Sequence, residues 1–222
     1  MSCLICSFCM IRFLVIPSLL YSLAACSQTE PKKDTVKHVS TYTVTDTAYF
    51  GAGCFWCVEA IFESIEGVDE VISGYSGGQI EDPTYEMVCR GNTGHAETVM
   101  IRYDAKVVQY DSLLSAFFGS HNPTLKDQQG PDRGSQYRSV IFYRNDAERS
   151  VAKAYIKKLL DEKQYPVIVT EVAPLTVFYP AEIYHQNYEK KNPYNPYVER
   201  VSKPRLNSFK KKYNYLLKEE EQ

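Results

Sequence analysis

No cysteine follows Cys89, and four of the chain's seven (Cys3, Cys6, Cys9 and Cys26) lie in its N-terminal leader. The rest of the chain is left with Cys54, Cys57 and Cys89. These are too few, and too unevenly spread, for a disulfide framework, but they suit a redox site. A zinc site on Cys54 and Cys57 would need two further ligands at regular spacing. Cys89, His95, His121 and His185 are scattered, so no metal is expected. The formal net charge of -2 removes the electrostatic reason to expect nucleic acid as a partner. The sequence has no internal repeat and no long low-complexity tract. What it does have is a 44% hydrophobic, 13% aromatic composition, which fits a chain with a real core and not a disordered one. Its 222 residues suffice for one domain of ordinary size with short extensions.

The leader also lacks a comfortable membrane-spanning length. From Met10 it reads MIRFLVIPSLLYSLAAC, with one cation (Arg12), a short apolar run and then Leu23-Ala24-Ala25-Cys26. This is the layout of a secretory signal. Its last four residues resemble the lipobox of bacterial lipoprotein signals, which implies cleavage before Cys26 and lipidation of its sulfur. Met10 is a better start than Met1, because MSCLICSFC puts no charge ahead of the apolar run. An ordinary signal peptide, or an uncleaved anchor with a chance cysteine, is the alternative. The expected organisation is a signal over 1–25, a polar tether over 26–47, a catalytic domain over 48–200 and a C-terminal helical extension over 201–222. The expected location is extracytoplasmic, on the periplasmic face, with the N-terminal lipid as the only membrane contact.

Periodicity places the elements. Ala48-Tyr49-Phe50 is a short apolar run halted by glycines and reads as a strand. From Cys54 the period changes: Val58, Ile61, Phe62 and Ile65 fall at i, i+3, i+4 and i+7, a helix with one buried stripe ended by Gly67. Strands are expected over 68–75, 97–103, 137–143 and 167–172. Helices are expected over 110–118 and from the Asn145–Glu148 capping pair to about Leu160. Leu206, Phe209, Tyr213 and Leu216 suggest a closing helix. QQGPDRGSQ, at 128–136, is expected to be an irregular surface loop. Strands and helices alternate without repeated parallel units, so an α+β fold is expected, a mixed sheet with helices against it.

The chemistry centres on GAGCFWCVE, Gly51 to Glu59. A strand, glycines, then cysteine at the first turn of a helix places Cys54 among unpaired backbone N–H groups, which favour a thiolate. Cys57 lies one helical turn on, and the two can close a disulfide. A pair of small buried residues is the bland alternative. A general thiol–disulfide oxidoreductase and a binding-only lipoprotein are the functional rivals.

GCFWCVE resembles the active-site motif of the peptide methionine sulfoxide reductase A family. The resemblance continues through GYSGG (74–78), PTY (83–85), GHAE (94–97), HNPT (121–124), QGPDRGSQYRS (129–139) and AEIYHQ (181–186), in order over about 48–197. It implies a two-layer fold with a ferredoxin-like core and reduction of the S epimer of methionine sulfoxide, in proteins or as the free amino acid. It implies Cys54 as the attacking sulfur and Glu97 as the acid, on the apolar face of an alternating strand where desolvation raises its pKa. Tyr85 and Tyr137 match tyrosines that hydrogen-bond the sulfoxide oxygen, and Asp132 an aspartate that orders the site and its water. Phe55 and Trp56 are expected to cup the substrate methyl group. His95 and His185 are expected to bond loop backbone or carboxylates. With no cysteine beyond Cys89, Cys57 is expected to resolve the sulfenic acid, and Cys89 to be buried and inert. No bound cofactor is expected; the reductant is thioredoxin or another dithiol, thioredoxin-like for an extracytoplasmic protein, and the protein is expected to be a monomer.

Overall fold

The computed structural model describes residues 43–222, so the signal segment, Cys26 and most of the tether lie outside the described residues. The first strand, β1 (Asp46–Ala52), starts ahead of the Ala48–Phe50 run and turns Ala48, Phe50 and Ala52 inward. Helix α1 (Phe55–Glu63) follows after Gly53 and Cys54. β2 (Val68–Ser76), the short α2 (Tyr85–Cys89), β3 (Ala96–Tyr103) and α3 (Tyr110–Ser120) come next. They are followed by β4 (Gln128–Gln129), β5 (Asp132–Arg133), β6 (Ser139–Tyr143) and α4 (Asp146–Asp161). The chain then runs through β7 (Glu171–Pro174), β8 (Phe178–Pro180), α5 (Tyr188–Lys191) and α6 (Lys203–Lys212).

Six strands form one sheet in the order β7-β6-β1-β3-β2-β8. Only the β6–β7 pair is parallel, which makes the sheet mixed and the fold α+β, as the sequence pattern implied. Helices α1 and α3 cover one face, α1 against β2 and β3 and α3 against β1. Between them, Phe50 packs on Phe62 and Phe117 with ring centroids 5.6 and 5.0 Å apart. Burying one such side chain stabilises the fold by roughly 1.5–3 kcal/mol. A smaller apolar cluster, Ala96, Val140 and Phe142 with Tyr49, lies on the opposite face. Helix α6 packs on α1 and α3, burying Phe209.

Several local expectations shift. Residues 128–136 are not wholly irregular: β4 and β5 pair, Gln129 opposite Asp132, and a 3₁₀ turn over Ser135–Tyr137 follows. Tyr137 therefore sits in that turn and the strand begins at Ser139. The strand expected over 167–172 pairs only from Glu171, where β6 offers it a partner. Helix α2 and strand β8 are too short to show a period. Cys89 ends α2 and is exposed, not buried; Val88 is the one fully buried residue of that helix. The Asn145 cap is present, its side chain accepting from the Glu148 N–H at 3.0 Å.

Candidate active site

Two glycines set the entry to the site. A Cβ on Gly51 would stand 2.9 Å from the Glu97 carbonyl oxygen, so β1 and β3 lie too close there for a side chain. Gly53 turns with φ +87°, and a Cβ on it would stand 2.6 Å from Gln129. Cys54 follows as the N-cap of α1, with 7% of its surface exposed against 1% for Cys57. Glu97 comes from β3, in register with Tyr75 of β2, and its alternation with Val99, Ile101 and Tyr103 turns all four inward. The Glu97 Oε2 accepts the Phe55 N–H at 2.9 Å. The carboxyl thus occupies the first free donor of α1, immediately beside Cys54.

Aromatic rings enclose this point. Tyr85 opens α2 and stacks on Phe55, with centroids 6.3 Å apart at 21°. Its backbone N–H donates to Glu182 at 2.9 Å, and the other Glu182 oxygen accepts from the Tyr75 hydroxyl, also at 2.9 Å. The Trp56 indole lies flat on Tyr188, 3.7 Å away at 6°, and its Nε1–H donates to His185 Nδ1 at 3.1 Å. Tyr197 meets Trp56 edge-on, donates to Asp132 at 2.5 Å and lies 3.9 Å from the Cys57 sulfur. All eight residues expected at the site from Cys54 to Tyr137 fall in this region. The contacts of His95 are with backbone at Gly78 and Ile80, as expected, whereas His185 serves the indole.

A family model described as peptide methionine sulfoxide reductase matches residues 46–217. The chain belongs to that family. A peptide methionine sulfoxide reductase MsrA from Natronomonas pharaonis is 50% identical over 171 residues, covering 77% of this chain and 96% of that protein. One from Acinetobacter baumannii (strain SDF) is 49% identical over 173 residues, 78% and 98% of the two chains. Among solved structures, Mxr1 from Saccharomyces cerevisiae in reduced form superposes with a TM-score of 0.64 at 31% identity, covering 71% of this chain and 92% of that one. Methionine sulfoxide reductase A of Corynebacterium diphtheriae gives 0.60 at 36%, covering 68% and 77%.

The electrostatics of this family member differ in one respect from the sequence expectation. Burial, then the adjacent Cys57, pushes the Cys54 thiol up, not down. The helix-end N–H that was expected to stabilise a thiolate is spent on Glu97. Cys57 is brought down to about 6 by the hydrogen bond from Cys54, helped against burial by the charge of Arg205. The two sulfurs therefore hold one proton between them, and the first ionisation belongs to the pair. Burial raises Glu97 to about 8, against the opposing Phe55 N–H, so this carboxyl carries a proton at neutral pH. Burial, followed by a hydrogen bond to Cys89 and the Glu97 charge, keeps the Tyr85 hydroxyl protonated. Burial and then Glu97 do the same for Tyr137. Asp132 is also raised by burial, while Tyr197 and Arg205 work the other way.

Four contributors escaped the sequence reading. Tyr197 ties Asp132 to the cysteine pair, and Glu182 fixes the start of α2. Arg205 donates through Nε to Ser120 O at 2.7 Å and through Nη2 to Ala52 O at 2.8 Å, so both bonds go to neutral carbonyls and leave its charge to act on the site. Tyr188 backs Trp56. Glu182 lies inside the quoted AEIYHQ motif and could have been flagged as a polar residue amid aromatics. Tyr197 was one tyrosine among 18, and Arg205 lay in the segment read as an extension.

Proposed function

We propose that the chain reduces methionine S-sulfoxide, in proteins and as the free amino acid, through Cys54, Glu97 and Cys57. The observation that carries this reading is the buried Glu97 carboxyl held on the Phe55 N–H, directly beside Cys54 and inside a ring of aromatic side chains. Oε2 is engaged by that N–H, which leaves Oε1 to carry the proton. Sulfoxide reduction by a thiol needs a nucleophile on sulfur and an acid on oxygen, and this arrangement supplies both at once.

The proton shared by the two sulfurs passes from Cys54 to Cys57, and Cys54, now the thiolate, attacks the sulfoxide sulfur while Glu97 donates its proton to the oxygen, with Tyr85 and Tyr137 hydrogen-bonding it. The oxygen then passes to Cys54: the thiolate, the sulfoxide and the Glu97 proton become a sulfenic acid and a thioether, and Glu97 regains its proton from solvent. The Cys57 thiol condenses with the sulfenic acid, releasing water and forming a disulfide, and an external dithiol restores both thiols. Phe55 and Trp56 form the dry wall for the substrate methyl group. Asp132 acts through Tyr197 on the position of the Cys57 sulfur. For an extracytoplasmic, lipid-anchored protein, the leader ending in Leu23-Ala24-Ala25-Cys26 supports a thioredoxin-like donor on the far side of the membrane.

A general thiol–disulfide oxidoreductase would have no use for a protonated Glu97 beside its first cysteine, nor for Phe-Trp between the two. Assaying the protein with each methionine sulfoxide epimer and dithiothreitol separates the two readings. Reduction confined to the S epimer is expected. Equal rates on both epimers, or disulfide reduction with no methionine formed, would overturn the proposal.

A further inference from the structure

We propose that Glu59 is a positioning residue for the methyl-binding wall: it fixes the Asn187–Tyr188 turn and thereby holds Tyr188 against Trp56. The inference rests on the reading of the site as a methionine sulfoxide pocket, and adds a residue to it that touches neither substrate nor the reacting sulfurs.

Glu59 lies on α1 three residues beyond Trp56 and is 1% exposed. Carboxyl groups are almost never buried this far without partners, because desolvation opposes it. Burial pushes this one up to about 8, although backbone donors at Asn187 and Tyr188 pull the other way. The Asn187 N–H bond to Oε1 is 3.0 Å long. Asn187 has φ +55°, the left-handed region, and caps α5 without a side-chain hydrogen bond of its own. Glu59 therefore supplies from another helix the acceptor that the start of α5 lacks. The next residue is Tyr188, whose ring is the one lying 3.7 Å from the Trp56 indole.

The second link between these helices, Lys190 to Glu63 at 2.9 Å, has its lysine 63% exposed and contributes little. An apolar side chain at 59 would avoid the cost of a buried carboxyl but would leave the N–H of Asn187 unpaired. The turn would then be free to shift, and Tyr188 with it. Trp56 would lose the surface that sets its tilt toward the substrate methyl group, while Glu97 would stay beside Cys54, held by a backbone N–H, that of Phe55, which does not depend on the Trp56 ring.

Trp56 is the chain's only tryptophan, so fluorescence excited at the red edge, where its 18 tyrosines do not absorb, reports on this wall alone. Three quantities are measured on Glu59→Leu and Glu59→Gln: Trp56 emission, KM and kcat for methionine S-sulfoxide, and the alkylation rate of Cys54. For Glu59→Leu we expect a shifted emission and a KM raised about 2- to 10-fold, the equivalent of one lost hydrogen bond. Its kcat and Cys54 alkylation should stay close to wild type. Glu59→Gln keeps an acceptor oxygen and should restore both emission and KM. Unchanged emission and KM in Glu59→Leu overturn the proposal; so does a fall in Cys54 alkylation matching the loss in KM, which would mean general loosening. Tyr188→Leu decides the matter if Glu59→Leu does not fold: it must shift the emission and raise KM, and wild-type values for both would overturn the proposal. Failure of the sulfoxide reading itself would show separately, as absent turnover in the wild-type protein.

Discussion

With Cys54 replaced by serine, reduction of methionine S-sulfoxide by dithiothreitol should fall at least about 10³-fold, roughly 4 kcal/mol in barrier height. A serine hydroxyl stays protonated at neutral pH and cannot pass through a sulfenic acid. The change should leave the fold intact: the side chains are of similar size, and the Phe55 N–H bond to Glu97 does not involve the sulfur. Cys57 should not substitute, being 1% exposed on the buried side of the first turn of α1. An activity above about one-thousandth of wild type, in protein free of contaminating reductase, would mean that the attacking sulfur lies elsewhere.

Glu97→Gln should lower kcat by about 10²- to 10⁴-fold, the usual contribution of a general acid. Glutamine can still accept the Phe55 N–H, so the loss reports the missing proton and not a displaced helix. The pH profile supplies the sign. A general acid works in its protonated form, so the wild-type rate should fall as pH rises through about 8, where Glu97 loses its proton. It should also fall at low pH, through about 6, as the cysteine pair takes up its second proton. Glu97→Gln should keep the lower limb and lose the upper one. Profiles of kcat/KM from pH 5 to pH 9.5 in both proteins test this. A persisting upper limb in the variant would assign it to another group, with the tyrosines first to be examined.

What could be read in advance was what depends on local pattern. The i, i+3, i+4, i+7 stripe of α1, the alternation that turns Glu97 inward and the Asn145 cap each follow from a few consecutive side chains. Partners brought together by the tertiary fold could not be read in this way. Asp132 and Tyr197 meet across 65 residues, and Arg205 reaches Ala52 across 153. The pKa of Cys54 illustrates the same limit. A cysteine at a helix start predicts a stabilised thiolate, but a carboxyl arriving from β3 takes the N–H donor first. Cys89, expected to be buried, is exposed, and no local signal shows that it ends a helix of only five residues. The two-residue strands β4 and β5 lie below the length at which a period exists, yet their pairing holds Asp132 in place.

The central claim, that Cys54 takes the oxygen and Cys57 removes it, is tested most directly by a single turnover. Cys57→Ser would be mixed anaerobically with excess methionine S-sulfoxide and no reductant. The methionine released would be counted, and the sulfenic acid trapped with a dione probe and located by peptide mass. The account predicts a stoichiometric burst of methionine, equal to the enzyme present, and a sulfenic acid on Cys54. Methionine released with Cys54 unmodified, or the label found on Cys89, would contradict it.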